Sequence, residues 1–236
     1  METISLFFKV LWSPGEAMFL LSKNPRVLAP LLLIALSSLG IGAVMATKVD
    51  MAELTIRQIE RTPQGRNFTD QQKDLMRKQM NLPVVKGFTF VTTTIFAIAT
   101  VVVIAGIYFA LFTMVGREGD FRTFFSITAF AFVPLIFRQI AFVIAVYVLP
   151  TSAIMLDELG SLSPSVFLDR DHISPVLFTA VNMIDLVNIW ILVLLTIGYG
   201  FVTRKGLSKV TRGGVVVGVF LVYDLLRLAL AAIRGI

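Results

Sequence analysis

The sequence predicts an all-α membrane protein: five transmembrane helices with an N-terminal interfacial helix and a helical outer loop. Three observations predict it. Of the 236 residues, 56% are hydrophobic and only 15% charged, with a mean hydropathy of +0.84; soluble domains run at about 25% charged. Five windows (27–47, 88–115, 124–149, 176–203 and 213–233) are apolar and nearly free of charge, and each exceeds the roughly 18 residues that separate a spanning helix from a buried core helix. The runs are continuous rather than alternating, which excludes a transmembrane barrel. The same composition excludes a secreted disulfide scaffold, a disordered tail and a typical soluble enzyme. The absence of cysteine removes disulfides, thiolate nucleophiles, iron–sulfur clusters and cysteine-ligated zinc.

Residues 1–26 read as an interfacial amphipathic segment and 27–236 as the five-span membrane domain. Met1-Glu2-Thr3 lacks the basic leader of a secretory signal, and Pro14-Gly15 interrupts the apolar stretch, so residues 4–22 form a broken helix. Phe7, Phe8, Leu11 and Trp12 make its apolar cluster, while Lys9, Lys23 and Arg26 are placed to meet anionic head groups. A short helix folded against the bundle fits the same residues, and both readings stay open. After the first span, loop 48–87 is expected to hold a helical hairpin. One helix covers about 50–61, ahead of the break Thr62-Pro63-Gln64-Gly65. The other runs to about Met80 from Thr69-Asp70-Gln71-Gln72, which resembles a capping box, with Leu75, Met76 and Met80 as apolar contacts.

In the third span Pro134 lies one turn before Arg138; it removes a backbone hydrogen bond and is expected to kink the helix, freeing the carbonyl near residue 130. Gly40, Gly42, Gly198, Gly200, Gly213, Gly214 and Gly218 are expected to let helix backbones approach. Gly214-Val215-Val216-Val217-Gly218 is a GxxxG motif, suited to internal packing or to dimerisation.

Orientation follows from the short connections. With the N-terminus inside, that face carries Lys9, Lys23, Arg26, Arg117, Arg122, Arg204, Lys205, Lys209 and Arg212, against Arg170 and Arg234 on the other. The bias predicts a multi-pass inner-membrane protein, N-terminus cytoplasmic and C-terminus outside. Loop 48–87 opposes this with eight basic residues, but it is long and also carries five acids.

Four ionisable residues fall inside spans: Arg138, Asp185, Asp224 and Arg227. Each is expensive at mid-membrane, by about 2.5–3.5 kcal/mol on insertion scales. At 1.5 Å per residue, Arg138 lies about 16 Å and Asp185 about 15 Å below the same face, so their depths match. Asp224 and Arg227, three apart, share a helix face. Two readings follow: pairs that fix helix docking, or a proton or ion relay in which Asn182, Asn188 and Tyr223 extend a polar cluster around Asp185. No enzyme motif, cofactor or metal is expected. His172 is the sole histidine. Gly116-Arg117-Glu118-Gly119-Asp120 lacks a Walker lysine, and Asp157, Glu158, Asp169 and Asp171 lack EF-hand spacing.

Three stretches together resemble a known family. Trp12-Ser13-Pro14 through Phe19, then Asn24-Pro25 and the Pro30-led first span, are similar to the opening of the prokaryotic branch of the Yip (Ypt-interacting protein, "Yip-one") membrane family. Gly116-Arg117-Glu118-Gly119-Asp120-Phe121 with Ala131-Phe132-Val133-Pro134 resembles its glycine-led connection and proline-bearing span. Ile184-Asp185-Leu186-Val187-Asn188-Ile189-Trp190, running on through Leu194, Gly198, Gly206 and Leu207, resembles its fourth span and the turn before the fifth. The resemblance covers about residues 12–230 and implies five helical spans with a cytoplasmic N-terminus. Eukaryotic members are associated with Rab-type GTPases, vesicle traffic and membrane shaping; with about 26 residues ahead of the first span here, GTPase binding is not expected. The expected function is a non-enzymatic membrane protein that organises or assists a membrane process, as a trafficking-like, membrane-shaping or accessory subunit. Its expected partners are the lipid bilayer and a protein partner or further copies of itself, and not nucleic acid. The alternative is a transporter or channel-like protein for a small solute, ion or lipid, using Asp185 and Arg138.

Overall fold

The computed structural model describes residues 2–60, 67–149, 160–168 and 172–234. Helices α1 (Glu2–Trp12) and α2 (Pro14–Lys23) precede the first span, α3 (Leu28–Lys48). Helices α4 (Met51–Glu60) and α5 (Asp70–Met80) follow, then α6 (Pro83–Val115), α7 (Phe121–Ala131) and α8 (Leu135–Val148). After a short 3₁₀ turn (Pro164–Phe167) come α9 (Pro175–Asn182), α10 (Leu186–Tyr199) and α11 (Lys209–Arg234). Four helical stretches are long and apolar enough to cross a membrane: α3, α6, the α7–α8 run and α11. The bent pair α9–α10 is apolar enough only when its halves are taken together, so the described residues hold four such stretches, or five where that pair counts as one broken span. The spans leave many large apolar side chains exposed, among them Leu28, Leu32 and Leu36 on α3 and Leu221, Leu225 and Leu226 on α11. Apolar surface on that scale requires a hydrocarbon solvent.

Helix starts follow local capping chemistry. Thr69 closes a capping box: its Oγ1 accepts from the Gln72 N–H, and its own N–H donates to Gln72 Oε1 at 2.8 Å. Asp50, Asp120, Ser174 and Ser208 likewise accept from backbone N–H groups two or three residues on. At Pro134 the chain tightens into three-residue hydrogen bonds, and the carbonyl of Phe130 accepts from the Val133 N–H at 3.1 Å. The carbonyl freed by the proline is thus satisfied within the same turn.

The chain forms two compact units. The first comprises Met1–Leu36, Ile95–Ile136 and Val187–Tyr223; the second comprises Ser37–Thr94, Phe137–Leu186 and Asp224–Ile236. The first is centred on aromatic rings. Tyr199, fully buried, lies with its ring centroid 5.0–5.2 Å from those of Tyr108, Phe112 and Phe124. Its hydroxyl shares a 2.8 Å hydrogen bond with that of Thr128, and the Tyr108 hydroxyl donates to the Val216 carbonyl. Both phenols therefore bury their rings without orphaning a polar group. Leu6, Val10, Ala17, Met18 and Leu21 join this core, so α1 and α2 are docked on the bundle by one face. Gly198 permits that approach, since a Cβ there would lie 2.4 Å from Ile127 Cγ2 and 3.1 Å from Met18 Sδ. A Cβ at Gly40, Gly214 or Gly218 would meet nothing beyond its own helix backbone within 4 Å.

The second unit carries the α4–α5 hairpin. Arg77 donates to Glu53 at 3.1 Å and Lys73 pairs with Glu60, while Ile56, Ile59, Phe68 and Met76 line a small recess between the helices. Leu75, expected as an apolar contact, is instead exposed. Helix α5 has no buried residue, and charge pairs rather than leucine packing tie it to α4. The break at Thr62–Gly65 lies outside the described residues.

Candidate functional site

The fourth span, expected to be continuous over 176–203, breaks at Met183-Ile184-Asp185, and its two halves are bent by 50°. Neither proline nor glycine sits there. Ile184 N–H turns back to the Val181 carbonyl and Asp185 N–H to that of Met183, so the α-helical ladder stops. A segment from elsewhere in the chain takes over the released groups. Leu162 N–H donates to Asp185 Oδ2 at 3.0 Å, and the Leu162 carbonyl accepts from Leu186 N–H at 3.3 Å. Ser163 Oγ donates to the Val181 carbonyl, the last turn of α9, at 2.8 Å. Inside a bilayer, non-helical backbone is tolerated where it is buried in protein or lines a water-filled cavity, and here the protein itself supplies the partners.

Asp185 is 3% exposed at its side chain, and its second oxygen accepts from Arg138 Nη2 at 2.7 Å. The pair is charge-assisted, and both carboxylate oxygens are engaged. Asn182 adds hydrogen bonds from Nδ2 to Ser165 Oγ at 2.9 Å and Ser161 Oγ at 3.4 Å. Gly160 makes the arrangement sterically feasible. Its φ is +74°, and a Cβ would lie 2.5 Å from the Arg138 carbonyl oxygen and 3.0 Å from Phe142 Cβ. The cluster is therefore Arg138, Gly160, Ser161, Leu162, Ser163, Ser165, Asn182 and Asp185.

The remaining candidates are placed differently. Asn188, half-buried, and Tyr223, exposed, belong to the first compact unit and not to the one that holds Asp185. Arg227 Nη1 stands 3.8 Å from Asp224 Oδ1, beyond hydrogen-bond reach, and that buried oxygen has no hydrogen-bond partner among the described residues. In the N-terminal segment Phe7 turns inward to Phe130, centroid to centroid 5.2 Å, whereas Phe8 (62%) and Trp12 (83%) stay exposed. Lys9 pairs with Glu16, and Arg26 is tied to Thr3 and Ser126. Asp157, Glu158, Asp169, Arg170 and Asp171 lie outside the described residues, and His172 is exposed. Among the described residues no three His, Asp or Glu side chains gather as a metal site.

Sequence reasoning missed the Gly160–Ser165 segment. Its signal was present as Gly160-Ser161-Leu162-Ser163-Pro164-Ser165, a run of small hydroxyl residues next to a glycine. Such a run reads as an ordinary loop until it is placed against a broken helix with carbonyls to satisfy. Chemically the arrangement is a clasp: the Asp185 carboxylate accepts from Arg138 Nη2 and the Leu162 N–H, the Ser163 hydroxyl donates to backbone and Asn182 donates to Ser161 and Ser165, while Arg138 Nε takes no part in these hydrogen bonds.

Residues 8–230, from within α1 to within α11, match the family model described as the Yip1 domain. No curated protein and no solved structure matches the chain.

Proposed function

Because the chain belongs to the Yip1 domain family, we propose that it is a non-enzymatic, multi-pass protein of that family's prokaryotic branch. In this reading it lies in the cell inner membrane, N-terminus cytoplasmic and C-terminus outside. It organises or assists a membrane process through a protein partner or further copies of itself. The observation that carries the reading is the closed Arg138–Asp185 clasp: the most deeply buried intramembrane carboxylate already has both oxygens engaged by its own chain. Self-association draws on Gly214 and Gly218, where an added Cβ would meet no other part of the chain within 4 Å. The prokaryotic assignment rests on the N-terminal Trp12-Ser13-Pro14 and Asn24-Pro25 resemblance.

Gentle affinity purification from native membranes, followed by mass spectrometry of the intact complex, tests this. A stoichiometric second protein or a defined homo-oligomer supports it; a protein that stays monomeric and alone counts against it. A second reading, a transporter or channel-like protein for a small solute, ion or lipid, draws on the discontinuous fourth span, because transporters build their sites at such breaks. Flux through proteoliposomes of the pure protein, abolished by Asp185→Asn, would replace the first reading with the second.

A further inference from the structure

The nine basic side chains of the first compact unit are not equivalent. Lys9 is neutralised by Glu16, Arg26 is bonded to Thr3, and Arg117 donates to Thr113 and the Gly119 carbonyl while lying 4.3 Å over the Phe109 ring. Arg212 packs over Gly200, where a Cβ would lie 1.9 Å from its Nη1, and its cation faces the carbonyl end of α10. Those four are engaged within the unit, and the exposed Arg122 acts on the carboxylate of Asp120, the N-cap of α7. Lys23, Arg204, Lys205 and Lys209 are exposed, and among the described residues no carboxylate pairs with them.

Lys23 sits beside a pair of exposed aromatic rings, and the other three cations follow the second ring of that pair in the chain. Lys23 Nζ lies 5.8 Å from the Phe19 ring centroid, and the Phe19 and Phe201 rings meet edge-on at 5.7 Å. Phe201 leads directly into the turn that bears Arg204 and Lys205. That turn is held in place. Arg204 N–H donates to the Gly116 carbonyl at 2.9 Å, Thr203 bridges Arg117, and Leu207 N–H closes back on the Arg204 carbonyl. Ser208 then caps α11, which begins at Lys209. The turn joins the end of one span to the start of the next, so it lies at the depth of lipid head groups. Exposed rings facing acyl chains beside unneutralised cations facing phosphates is the composition of a membrane interface with an anionic leaflet.

We propose that Lys23, Arg204, Lys205 and Lys209, with Phe19 and Phe201, form a binding site for the phosphate head group of an anionic phospholipid. The site goes beyond the reading above and stands whether or not a protein partner is found. It also places head-group recognition on the turn between the last two spans, rather than on Lys9 and Arg26.

The test is native mass spectrometry of the purified full-length protein in detergent, with phosphatidylglycerol and phosphatidylcholine supplied in equal amounts. Near an anionic surface each basic residue is worth roughly fivefold in affinity. The wild type is expected to retain phosphatidylglycerol over phosphatidylcholine by on the order of tenfold or more. Combined Arg204→Gln, Lys205→Gln and Lys209→Gln should reduce that preference to about parity. The charge-conserving Arg204→Lys with Lys205→Arg should keep it, as should Lys73→Gln in the α4–α5 hairpin. Equal retention of the two lipids by the wild type overturns the proposal, and so does a preference that survives the triple variant. If inorganic phosphate displaces phosphatidylglycerol at the same concentration, the site is a free-anion site and the lipid assignment fails.

Discussion

Removing one member of the Arg138–Asp185 pair strands the other in an apolar environment, which typically costs 3–5 kcal/mol. Arg138→Leu or Asp185→Leu alone is therefore expected to lower folded yield by about that margin, toward its lower end because the Arg138 side chain is one-third exposed. The double substitution to leucine should recover only part of the loss, since Leu162 N–H would still lack its acceptor. Arg138→Leu with Asp185→Asn should recover more, because the asparagine carbonyl can take that N–H without carrying charge. Detergent-solubilised yield and unfolding temperature of the four variants decide this; equal recovery by both doubles would mean that the Leu162 hydrogen bond contributes nothing. Gly160→Ala should be worse than a helix-interior glycine change. It combines a positive φ, worth about 1–3 kcal/mol, with a Cβ 2.5 Å from a carbonyl oxygen. The depth match of Arg138 and Asp185 was readable from sequence because helical rise converts position into depth. The roles of Gly160 and Leu162 were not, because a backbone N–H acts as a ligand without any side-chain signature.

At the scale of elements, capping is the most legible feature and the easiest to perturb. Thr69 and Gln72 close their box within four residues, so the motif carries its own structure. Asp120 opens α7 in the same way, and hydrogen bonds from the Thr123 hydroxyl and N–H hold its carboxyl below the usual carboxylate value. A carboxyl depressed on folding stabilises the native state above its unfolded pKa of about 3.9. That contribution is lost as pH falls through the lower folded value. Asp120→Ala is expected to cost about 1 kcal/mol at pH 7. Its deficit in unfolding temperature against the wild type should shrink as pH is taken below 4; a deficit unchanged with pH would exclude the cap as its source. The glycines divide just as sharply. Gly198→Ala should destabilise the first unit by forcing Ile127 and Met18 apart, whereas Gly214→Ala, facing open space, should leave the monomer's unfolding temperature unchanged. The broken fourth span was not legible. Met183-Ile184-Asp185 contains no helix breaker, and the groups that receive its freed backbone lie about twenty residues earlier.

At the scale of the whole molecule, the two compact units separate charge. The first contains nine basic and four acidic side chains, the second twelve and eleven. The nine are the residues that the orientation argument assigns to the cytoplasmic face, so folding collects in one unit what the sequence spreads over three connections. The absence of cysteine makes the orientation directly measurable. Single cysteines at Lys205 and Glu118 should be shielded from a membrane-impermeant maleimide added to intact cells. One at Lys78, on the exposed side of α5, should react. The reverse pattern would turn the topology over.

Hydropathy and capping are properties of neighbouring residues, so four of the five expected spans with their approximate limits, the helical loop and the position of the proline break follow from the chain alone. Arg138 meets Asp185 across 47 residues and Leu162 meets it across 23, and no local rule encodes such pairs. Tertiary structure decided which charges pair, where the fourth span breaks, that Phe7 turns inward while Trp12 stays out, and which cations remain without a carboxylate. The physical reason is the same in each case. Burial in lipid is determined by apolar length, whereas a buried charge or a backbone group outside the helical ladder needs a partner that folding brings from elsewhere in the chain.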